Sequence, residues 1–524
     1  MNGAESLIKT AIEAGIKVCF ANPGTTEMPL VSALDSVPGI KPILCLHENV
    51  ATGAADGYAR MSGQPAMTLL HLGPGLSNGL TNLHNARRAH TPIINVIGEH
   101  ASWHLEADPP LNAPLDQIAG SVSGFVRKSA SAGEMSKDMA DAIAASYDDG
   151  GQVATLIAPH DAQIEEAEAG ASLSTAPNLT SVPDASVASV QAALSTGKTA
   201  ILLSGKALSE EGLRLAGKIA QATGADLICE TFYAVMERGG DLPKPIKLPY
   251  FPDEADALLQ GYDKVISVGA EPPVAFFGYP DGRSRLTTSE QDVVLAVPGQ
   301  DVVDALARLA DQLGATKDTA MTGALPPMPP MLPMPPMPNG PLTAEAVCTV
   351  IANLQPKDCI IMDEGLTASA IYHEVSNFSP RFTQLQLTGG AIGMGPGCAT
   401  GAAMACPDRQ VINLQADGSA AYSVQAWWTQ ARENLDVITI LLSNRSYEIL
   451  NIELARAGVD APGPAATALA SLDEPALDWV SIAKGFGVSG EAVVTAEDFA
   501  IALEGALLRR GAGKGPYLIE IQMP

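Results

Sequence analysis

An aspartate and an asparagine in the last third of the chain follow two apolar, strand-like runs, and their placement suits a metal site. Asp417 comes just after QVINLQ, and Asn444 comes directly after VITILLS, 27 residues further along. The carboxyl ends of neighbouring parallel strands meet at one edge of a sheet, where open α/β folds bind ligands. Two oxygen side chains and a nearby carbonyl suit Mg²⁺, which completes its shell with water and phosphate. Gly418 and Ser419 would offer donors to a phosphate at a helix N-terminus; a lone Asp-Gly after a strand would also fit a simple turn.

A glutamate in the first third of the chain has two possible roles. Glu48 lies at or beside a strand–helix junction in LCLHENVATGAADGYARMSG. There it is either a helix-start carboxylate favoured by the helix dipole or a buried acid with a chemical task, and residue type alone favours the first. His71, near another strand end, is on residue type more often structural than catalytic. A glycine-rich loop at 388–395, TGGAIGMG, would let backbone approach a flat ligand, although structural turns do the same.

The elements that must position these residues are those of an α/β protein. Apolar runs such as KVCFANPG, PAMTLLHLGPG and TPIINVIGEH alternate with longer helical patterns, which is typical of parallel, doubly wound sheets. Similar series begin near Thr199 and after residue 341. We therefore predict three doubly wound parallel-sheet domains, at 1–170, 185–318 and 341–524. The Pro/Met-rich segment 319–340 between the last two domains is predicted to be an extended linker, because closely spaced prolines prevent both an α-helix and a central β-strand.

Composition narrows the class of protein. Hydrophobic residues make up 46% of the 524 residues, which supports large cores. The net charge of -27 disfavours nucleic acid and anionic membrane surfaces as partners. Seven scattered cysteines without a C-x-x-C pair are typical of a reducing compartment. No apolar run is long enough to span a membrane, and no signal peptide is evident, so we expect a cytoplasmic protein.

The paired motif resembles the thiamine-diphosphate fingerprint of the acetolactate synthase and 2-oxo acid decarboxylase group, a GDG followed by about 25–30 residues and an Asn. The resemblance implies that Asp417, Asn444 and the main-chain carbonyl of Ser446 hold Mg²⁺. It also implies that Gly418, Ser419 and Tyr447 lie at the cofactor. The first glycine of the motif is Ala416 here, which narrows the turn's conformational range but keeps the metal ligand.

The same resemblance gives roles to the other segments. Ile392 is expected as the apolar wedge that bends the cofactor, with the Gly390 carbonyl facing its amino group, and Thr367 as a diphosphate contact. Glu48 is expected to hydrogen-bond the pyrimidine ring and promote loss of the thiazolium C2 proton. The resulting carbanion would attack a 2-oxo acid and yield a carbanion–enamine.

The first-block loops complete the expected site. Thr25, after NPG, would point towards the active site, and His71 matches a histidine of benzoylformate decarboxylase, as a proton shuttle or carboxylate contact. Phe276, Phe277, Tyr447 and Ile449 are candidates for the pocket over the thiazolium, or equally for the core.

Over the whole chain the sequence looks most like the acetolactate synthase large subunit-like group, with benzoylformate decarboxylase second. It implies a 2-oxo acid decarboxylase or carboligase, as a homodimer or homotetramer with active sites at the subunit interface. Ala113-Pro114 replaces the Phe-Gln pair of true acetolactate synthases, and the FAD-contacting stretch is missing, so FAD is not expected. Two alternatives remain: a catalytically idle thiamine-diphosphate-binding relative, and, ranked last, a nicotinamide dinucleotide fold, for which no G-x-G-x-x-G unit is found.

Overall fold

The computed structural model describes residues 1–168, 179–279, 282–315, 334–510 and 513–523. Its contacts divide the chain into two compact units, Met1–Pro177 with Pro336–Tyr372 and Leu387–Pro524, and Asn178–Pro335 with His373–Gln386. The first fifteen residues of the predicted linker, 319–333, lie outside the described residues. The rest of that linker, 334–340, contains neither helix nor strand. The three-domain boundaries remain a prediction.

A six-stranded parallel sheet forms the core of the first part of the chain, in the order β2-β1-β3-β4-β6-β5. Its strands are β1 Val18–Asn22, β2 Lys41–Leu44, β3 Ala66–His71, β4 Ile93–Glu99, β5 Phe125–Lys128 and β6 Val153–Pro159. The helices are α1 Gly3–Glu13, α2 Met28–Ser36, α3 Glu48–Ser62, α4 Leu72–Arg88, α5 Leu115–Gly120, α6 Met135–Ser146 and α7 His160–Ile164.

Alternate residues of these strands enter different cores, because strand side chains point to opposite faces. On β1, Cys19 and Ala21 join one apolar cluster, whereas Val18 and Phe20 join another. Both faces of the sheet are therefore covered. This confirms the doubly wound α/β fold that the sequence predicts.

The second unit contains a parallel sheet in the order β10-β8-β7-β11-β12. The strands of this part of the chain are β7 Thr199–Leu203, β8 Asp226–Cys229, β9 Val235–Arg238, β10 Ile246–Lys247, β11 Lys264–Val268 and β12 Asp292–Ala296. The helices are α8 Asp184–Ala193, α9 Glu210–Thr223, α10 Pro252–Leu259 and α11 Val302–Gln312.

The last part of the chain contributes parallel strands to the first unit, in the order β17-β18-β16-β15-β13. Its strands are β13 Ile360–Glu364, β14 Phe382–Gln386, β15 Val411–Ala416, β16 Val437–Ser443, β17 Ser489–Val493 and β18 Tyr517–Gln522. The helices are α12 Ala344–Leu354, α13 Tyr372–Val375, α14 Gly395–Ala405, α15 Asp417–Ala420, α16 Gln425–Arg432, α17 Glu448–Arg456, α18 Pro464–Ala470, α19 Trp479–Gly485 and α20 Ala496–Leu507. Strand β14 pairs antiparallel with β9, so residues 373–386 belong to the second unit, which the sequence did not indicate.

Helices α3 and α14 pack within the first unit at very short range. A Cβ on Gly57 would lie 2.0 Å from the carbonyl oxygen of Cys398, and a Cβ on Gly401 would lie 1.9 Å from that of Ala54. Only glycine allows the two backbones to approach so closely. This contact joins the part of the unit that carries Glu48 to the part that carries the glycine-rich loop.

Candidate active site

The carboxyl edge of the first sheet collects three of the predicted site residues. Strands β2, β1 and β3 are neighbours, with Ala21 paired to Leu44 and Asn22 to Leu70. The chain leaves these strands at Glu48, Thr25 and His71 respectively. Thr25 begins a short 3-10 turn, Thr25–Glu27, and is exposed. Because the three strands are parallel and adjacent, these residues lie at one edge of the sheet although they are far apart in sequence.

A buried carboxylate that the sequence analysis missed holds His71. Glu27 is 0% exposed, and its Oε2 lies 2.8 Å from His71 Nδ1 and accepts the backbone N–H of Gly24 at 2.7 Å. Its Oε1 accepts the hydroxyl of Thr26 at 2.6 Å. Because the carboxylate occupies Nδ1, the ring can present Nε2 to a ligand.

Two glycines in the surrounding backbone leave space for the side chains of Glu27 and His71. A Cβ on Gly24 would lie 2.4 Å from the His71 ring, and a Cβ on Gly98 would lie 1.9 Å from Glu27 Oε1. Two glycines therefore allow the carboxylate and the ring to meet at the end of β3. The sequence shows an acid two residues after Thr25, but no local pattern marks that acid as buried.

Glu48 is the first residue of α3, as expected for a helix-start carboxylate. His47 caps the helix, its Nδ1 accepting the backbone N–H of Asn49 at 3.1 Å. The Oε2 of Glu48 accepts the side-chain amide of Asn78 at 3.0 Å, and its Oε1 lies close to Gly75. The carboxyl group is half-buried, so it is fixed in place and still reachable.

The glycine-rich loop 388–394 lies against α3 and α4 of the same unit. His84 Nε2 lies 3.1 Å from the Gly389 carbonyl, and Asn85 donates to the Ala391 carbonyl at 2.8 Å. Asn82 donates to the Gly393 carbonyl at 3.4 Å. These contacts hold alternate carbonyls of the loop.

Gly390 and Ile392 lie between those anchored positions. Gly390 is exposed and Ile392 is half-buried. Among the residues that the structure describes, no donor pairs with the Gly390 carbonyl. Gly390 has φ 73° and Gly393 has φ 94°, a region of backbone conformation that favours glycine. The loop thus presents one unpaired carbonyl next to an accessible apolar side chain.

Asp417 and the loop after β16 are brought together, as the strand-end argument predicts. Strands β15 and β16 are paired to their ends, with Ala416 opposite Leu442. Asp417 is 2% exposed; its Oδ1 accepts the backbone N–H of Gly418, and its Oδ2 accepts that of Arg445, both at 2.7 Å. Burial raises the pKa of Asp417, and these backbone N–H groups act against that shift.

The residues that follow β16, Asn444 to Ser446, form a tight turn next to Asp417. The Oδ1 of Asn444 accepts the backbone N–H of Ser446 at 3.1 Å. Arg445, between them, has φ 54°, which turns the chain sharply where it leaves the strand. Asn444 therefore sits in a tight turn beside a buried acid.

The residues expected at the diphosphate surround the same strand ends. The hydroxyl of Ser419 is buried and has no hydrogen-bond partner among the described residues. A Cβ on Gly418 would lie 2.4 Å from the ring of Tyr447, so the glycine lets that ring close over the turn. A buried hydroxyl without a partner is costly, and a phosphate oxygen would satisfy it.

Thr367 lies in a 3-10 turn, Leu366–Ser369, after β13. Asp363 fixes this turn by accepting the backbone N–H of Gly365 at 3.2 Å and the hydroxyl of Ser369 at 2.7 Å. Thr367 is half-buried, and its strand is paired with β15, which leads to Asp417.

The predicted pocket residues are divided between the two units. Tyr447 and Ile449 belong to the first unit, where Tyr447 contacts Gly418. Phe276 and Phe277 belong to the second unit, are 40% and 52% exposed, and pack in an aromatic cluster with Phe232 and Tyr250. Their role at a pocket stays a prediction.

Within the described ranges of the chain, no helix is both long and apolar enough to cross a membrane. No group of three or more His, Cys, Asp or Glu side chains in those ranges could hold a metal ion. A Mg²⁺ at Asp417 would thus depend on amide, carbonyl and phosphate oxygens for its other ligands.

Comparison with known proteins yields two family matches. Residues 1–119 match the family described as "Thiamine pyrophosphate enzyme, N-terminal TPP binding domain", and residues 367–521 match its C-terminal TPP binding domain. A Mycobacterium tuberculosis protein named "Putative acetolactate synthase large subunit IlvX" is 45% identical, over 100% of this chain and 99% of the relative. Benzoylformate decarboxylase of Pseudomonas aeruginosa is 29% identical, over 97% and 96%. The thiamine diphosphate-dependent 4-hydroxybenzoylformate decarboxylase of Rhodococcus jostii RHA1 has a similar fold, with TM-score 0.86 and 22% identity over 100% and 99% of the chains.

Proposed function

The chain belongs to the thiamine pyrophosphate enzyme family, and we propose that it is a thiamine-diphosphate- and Mg²⁺-dependent enzyme acting on a small 2-oxo acid. One observation carries the proposal. The carboxylate of Asp417 is tied to the backbone of Arg445, which places it beside Asn444 at the ends of β15 and β16.

The oxygen ligands at this edge fit a metal ion, and the hydrogen-bond donors beside them fit a diphosphate. Each Asp417 oxygen accepts one backbone N–H, and the carboxylate would still have a lone pair to offer a metal ion. The Asn444 side-chain oxygen and the Ser446 carbonyl would supply two further oxygen ligands. Ser419, with its unpaired buried hydroxyl, Gly418 and Thr367 would hold the phosphates. When bound, the cofactor supplies a nucleophilic thiazolium carbon and an electron sink.

Other residues of the chain would orient the cofactor and manage protons. Ile392 would wedge between the two rings, and the unpaired Gly390 carbonyl would accept from the amino group. Glu48 would hydrogen-bond the pyrimidine ring. His71, held at Nδ1 by Glu27, would offer Nε2 to a substrate carboxylate or proton.

The reaction we propose is acetolactate synthase-like decarboxylation or carboligation, in line with the 45% identical relative. A non-oxidative decarboxylase of the benzoylformate type is the alternative, because a benzoylformate decarboxylase aligns over 97% of the chain. A catalytically idle relative is the third possibility, and turnover of any 2-oxo acid would exclude it.

Two measurements test the proposed function. Mass spectrometry of the denatured, purified protein should detect thiamine diphosphate and not FAD. A screen of pyruvate, benzoylformate and branched 2-oxo acids should then show CO₂ release that depends on Mg²⁺ and thiamine diphosphate. Protein that neither retains nor binds thiamine diphosphate would contradict the proposal, and a flavin near one equivalent would overturn the expectation on FAD.

We also propose a cytoplasmic homodimer or homotetramer in which Glu48 serves the cofactor of the partner subunit. Within one chain, Asn49 turns towards Gly393, whereas the carboxylate of Glu48, one residue earlier, bonds Asn78 of its own block. Neighbouring helix residues point about 100° apart. The Glu48 carboxylate therefore points in a different direction from the Asn49 side chain that contacts the loop of its own chain. This direction supports the proposal that Glu48 serves the cofactor of a second chain. All seven cysteines are unpaired, which suits the proposed compartment.

Subunit complementation tests the shared site. Glu48→Gln and Asp417→Ala chains should each be nearly inactive, but mixed dimers would contain one site with both lesions and one with neither. Random mixing makes about half the dimers mixed, so about a quarter of wild-type activity should return. Mixed dimers without activity, shown to form by differential tagging, would place each site within one chain.

A further inference from the structure

We propose that Glu364, the last residue of β13, is a positioning residue that sets the glycine-rich loop 388–394 for thiamine diphosphate. This inference rests on the proposed function. Thr367, three residues further along, is the expected diphosphate contact, whereas no role follows for Glu364 from the sequence. The structure places Glu364 beneath the loop at 0% exposure.

Every hydrogen-bond partner of the Glu364 carboxylate is a donor. Oε1 accepts the backbone N–H of Gly393 at 2.7 Å and that of Met394 at 3.2 Å. Oε2 accepts the backbone N–H of Gly395 at 2.6 Å and the side-chain amide of Gln415 at 2.9 Å. An ionised carboxylate, which only accepts hydrogen bonds, matches these four converging donors.

Hydrogen bonds from the loop backbone offset part of the cost of burying this charge. Burial raises the pKa of Glu364, while hydrogen bonds from Gln415, Gly395, Gly393 and Met394 act to lower it. Three of those donors are N–H groups at the start of α14, where the helix dipole favours an anion. The carboxylate therefore caps α14 from a strand of the same unit and fixes the point where the loop ends and the helix begins.

The loop also fits the carboxylate sterically. A Cβ on Gly395 would lie 2.0 Å from Gln415 Oε1, 2.8 Å from Glu364 Oε2 and 2.9 Å from Asn413 Oδ1. The backbone thus lies directly on a layer of buried polar side chains from β13 and β15. A change in that layer has to move the loop.

The loop is also held by side chains other than Glu364, and these contacts show which of its groups remain available to the cofactor. Side chains of α4 hold the carbonyls of Gly389, Ala391 and Gly393, and Asn49 of α3 also donates to Gly393. The N–H groups of 393–395 are held by Glu364. The loop is anchored from both sides, and the Gly390 carbonyl and Ile392 project between the anchors. Loss of the Glu364 anchor would leave that carbonyl and the wedge free to shift relative to the cofactor rings.

The test uses the isosteric variant Glu364→Gln in the full-length protein. The amide turns an acceptor into a donor that faces the Gly395 N–H. The Gly395 N–H would then lack its buried acceptor, so we expect the Kd for thiamine diphosphate, at saturating Mg²⁺, to rise about tenfold. In the protein without cofactor, the amides of 393–395 should exchange with deuterium about tenfold faster, measured on peptides covering 388–398.

A matched control separates positioning from general stability. Asp138, 3% exposed on α6, is a buried carboxylate in the same unit whose ionic partner is Arg127, and Asp138→Asn should lower Tm while leaving the cofactor Kd near the wild-type value. A wild-type Kd and wild-type exchange at 393–395 in Glu364→Gln would overturn the proposal. If Glu364→Gln does not fold, Glu364→Asp keeps the charge and withdraws it by one methylene. The same two readouts then decide, and unchanged values overturn the proposal.

Failure of the wild-type protein to bind thiamine diphosphate would count against the proposed function, while the exchange measurement would still decide whether Glu364 anchors the loop.

Discussion

Replacing Glu27 with glutamine tests whether this buried carboxylate acts through His71. The change keeps size and shape, but it removes the charge that His71 Nδ1 contacts at 2.8 Å. The least disruptive orientation keeps the glutamine oxygen towards Gly24 and His71 and turns its amide to the hydroxyl of Thr26, which can accept as well as donate.

In that orientation, one charged hydrogen bond to His71 becomes a neutral one. A bond to a charged group contributes about 1.5–3 kcal/mol and a neutral one about 0.5–1.5 kcal/mol. The difference, about 1–1.5 kcal/mol, corresponds to about a tenfold loss in kcat/KM if His71 carries charge in the transition state. Stability should change by less than about 1 kcal/mol, since no buried donor loses its acceptor.

The assay is steady-state decarboxylation of the best 2-oxo acid, with thermal unfolding alongside. Glu99→Gln is the matched control: Glu99 is 3% exposed at the end of β4, and it contacts the backbone of His100 and the side chain of Lys128. In a His71→Ala background, Glu27→Gln should have no further effect on kcat/KM. Wild-type kcat/KM in Glu27→Gln, or an equal loss in Glu99→Gln, would refute the pairing.

Two further predictions concern the metal site and the packing of the first unit. Asp417→Ala and Asn444→Ala should lose binding of thiamine diphosphate with Mg²⁺ in a fluorescence titration, and wild-type curves for both would show that the metal site is misassigned. Gly401→Ala should lower the free energy of unfolding by about 1–3 kcal/mol, because the new Cβ would lie 1.9 Å from the carbonyl oxygen of Ala54. Gly505→Ala, in α20 with no atom within 4 Å, should instead raise it by up to about 1 kcal/mol; equal effects in denaturant unfolding would argue against the close packing of α3 and α14.

The sequence predicted those parts of the site that follow from where strands end. The Asp417 carboxylate meets the turn that follows β16 because the parallel strands β15 and β16 are neighbours, and the sequence shows an oxygen side chain at the end of each of these apolar runs. Glu48 begins α3, as a carboxylate at a strand–helix junction suggests.

Glu27 and Glu364 could not be predicted in the same way, because their partners come from other strands. Glu27 meets His71 only through the register of β1 with β3, and Glu364 meets Gln415 only through that of β13 with β15. A buried acid at a strand end looks like any surface acid in the sequence. The pairing of β14 with β9 is likewise a long-range contact, and no local pattern indicates it.

Exchange of the C2 proton of bound thiamine diphosphate, followed by NMR, tests the central claim most directly. Wild-type protein with Mg²⁺ should exchange this proton far faster than the free cofactor does. Glu48→Gln should bind the cofactor and lose about 10²–10⁴-fold of that rate, as expected for a positioned proton-transfer group. Exchange in the wild-type protein no faster than in free solution, or an undiminished rate in Glu48→Gln, would contradict the account.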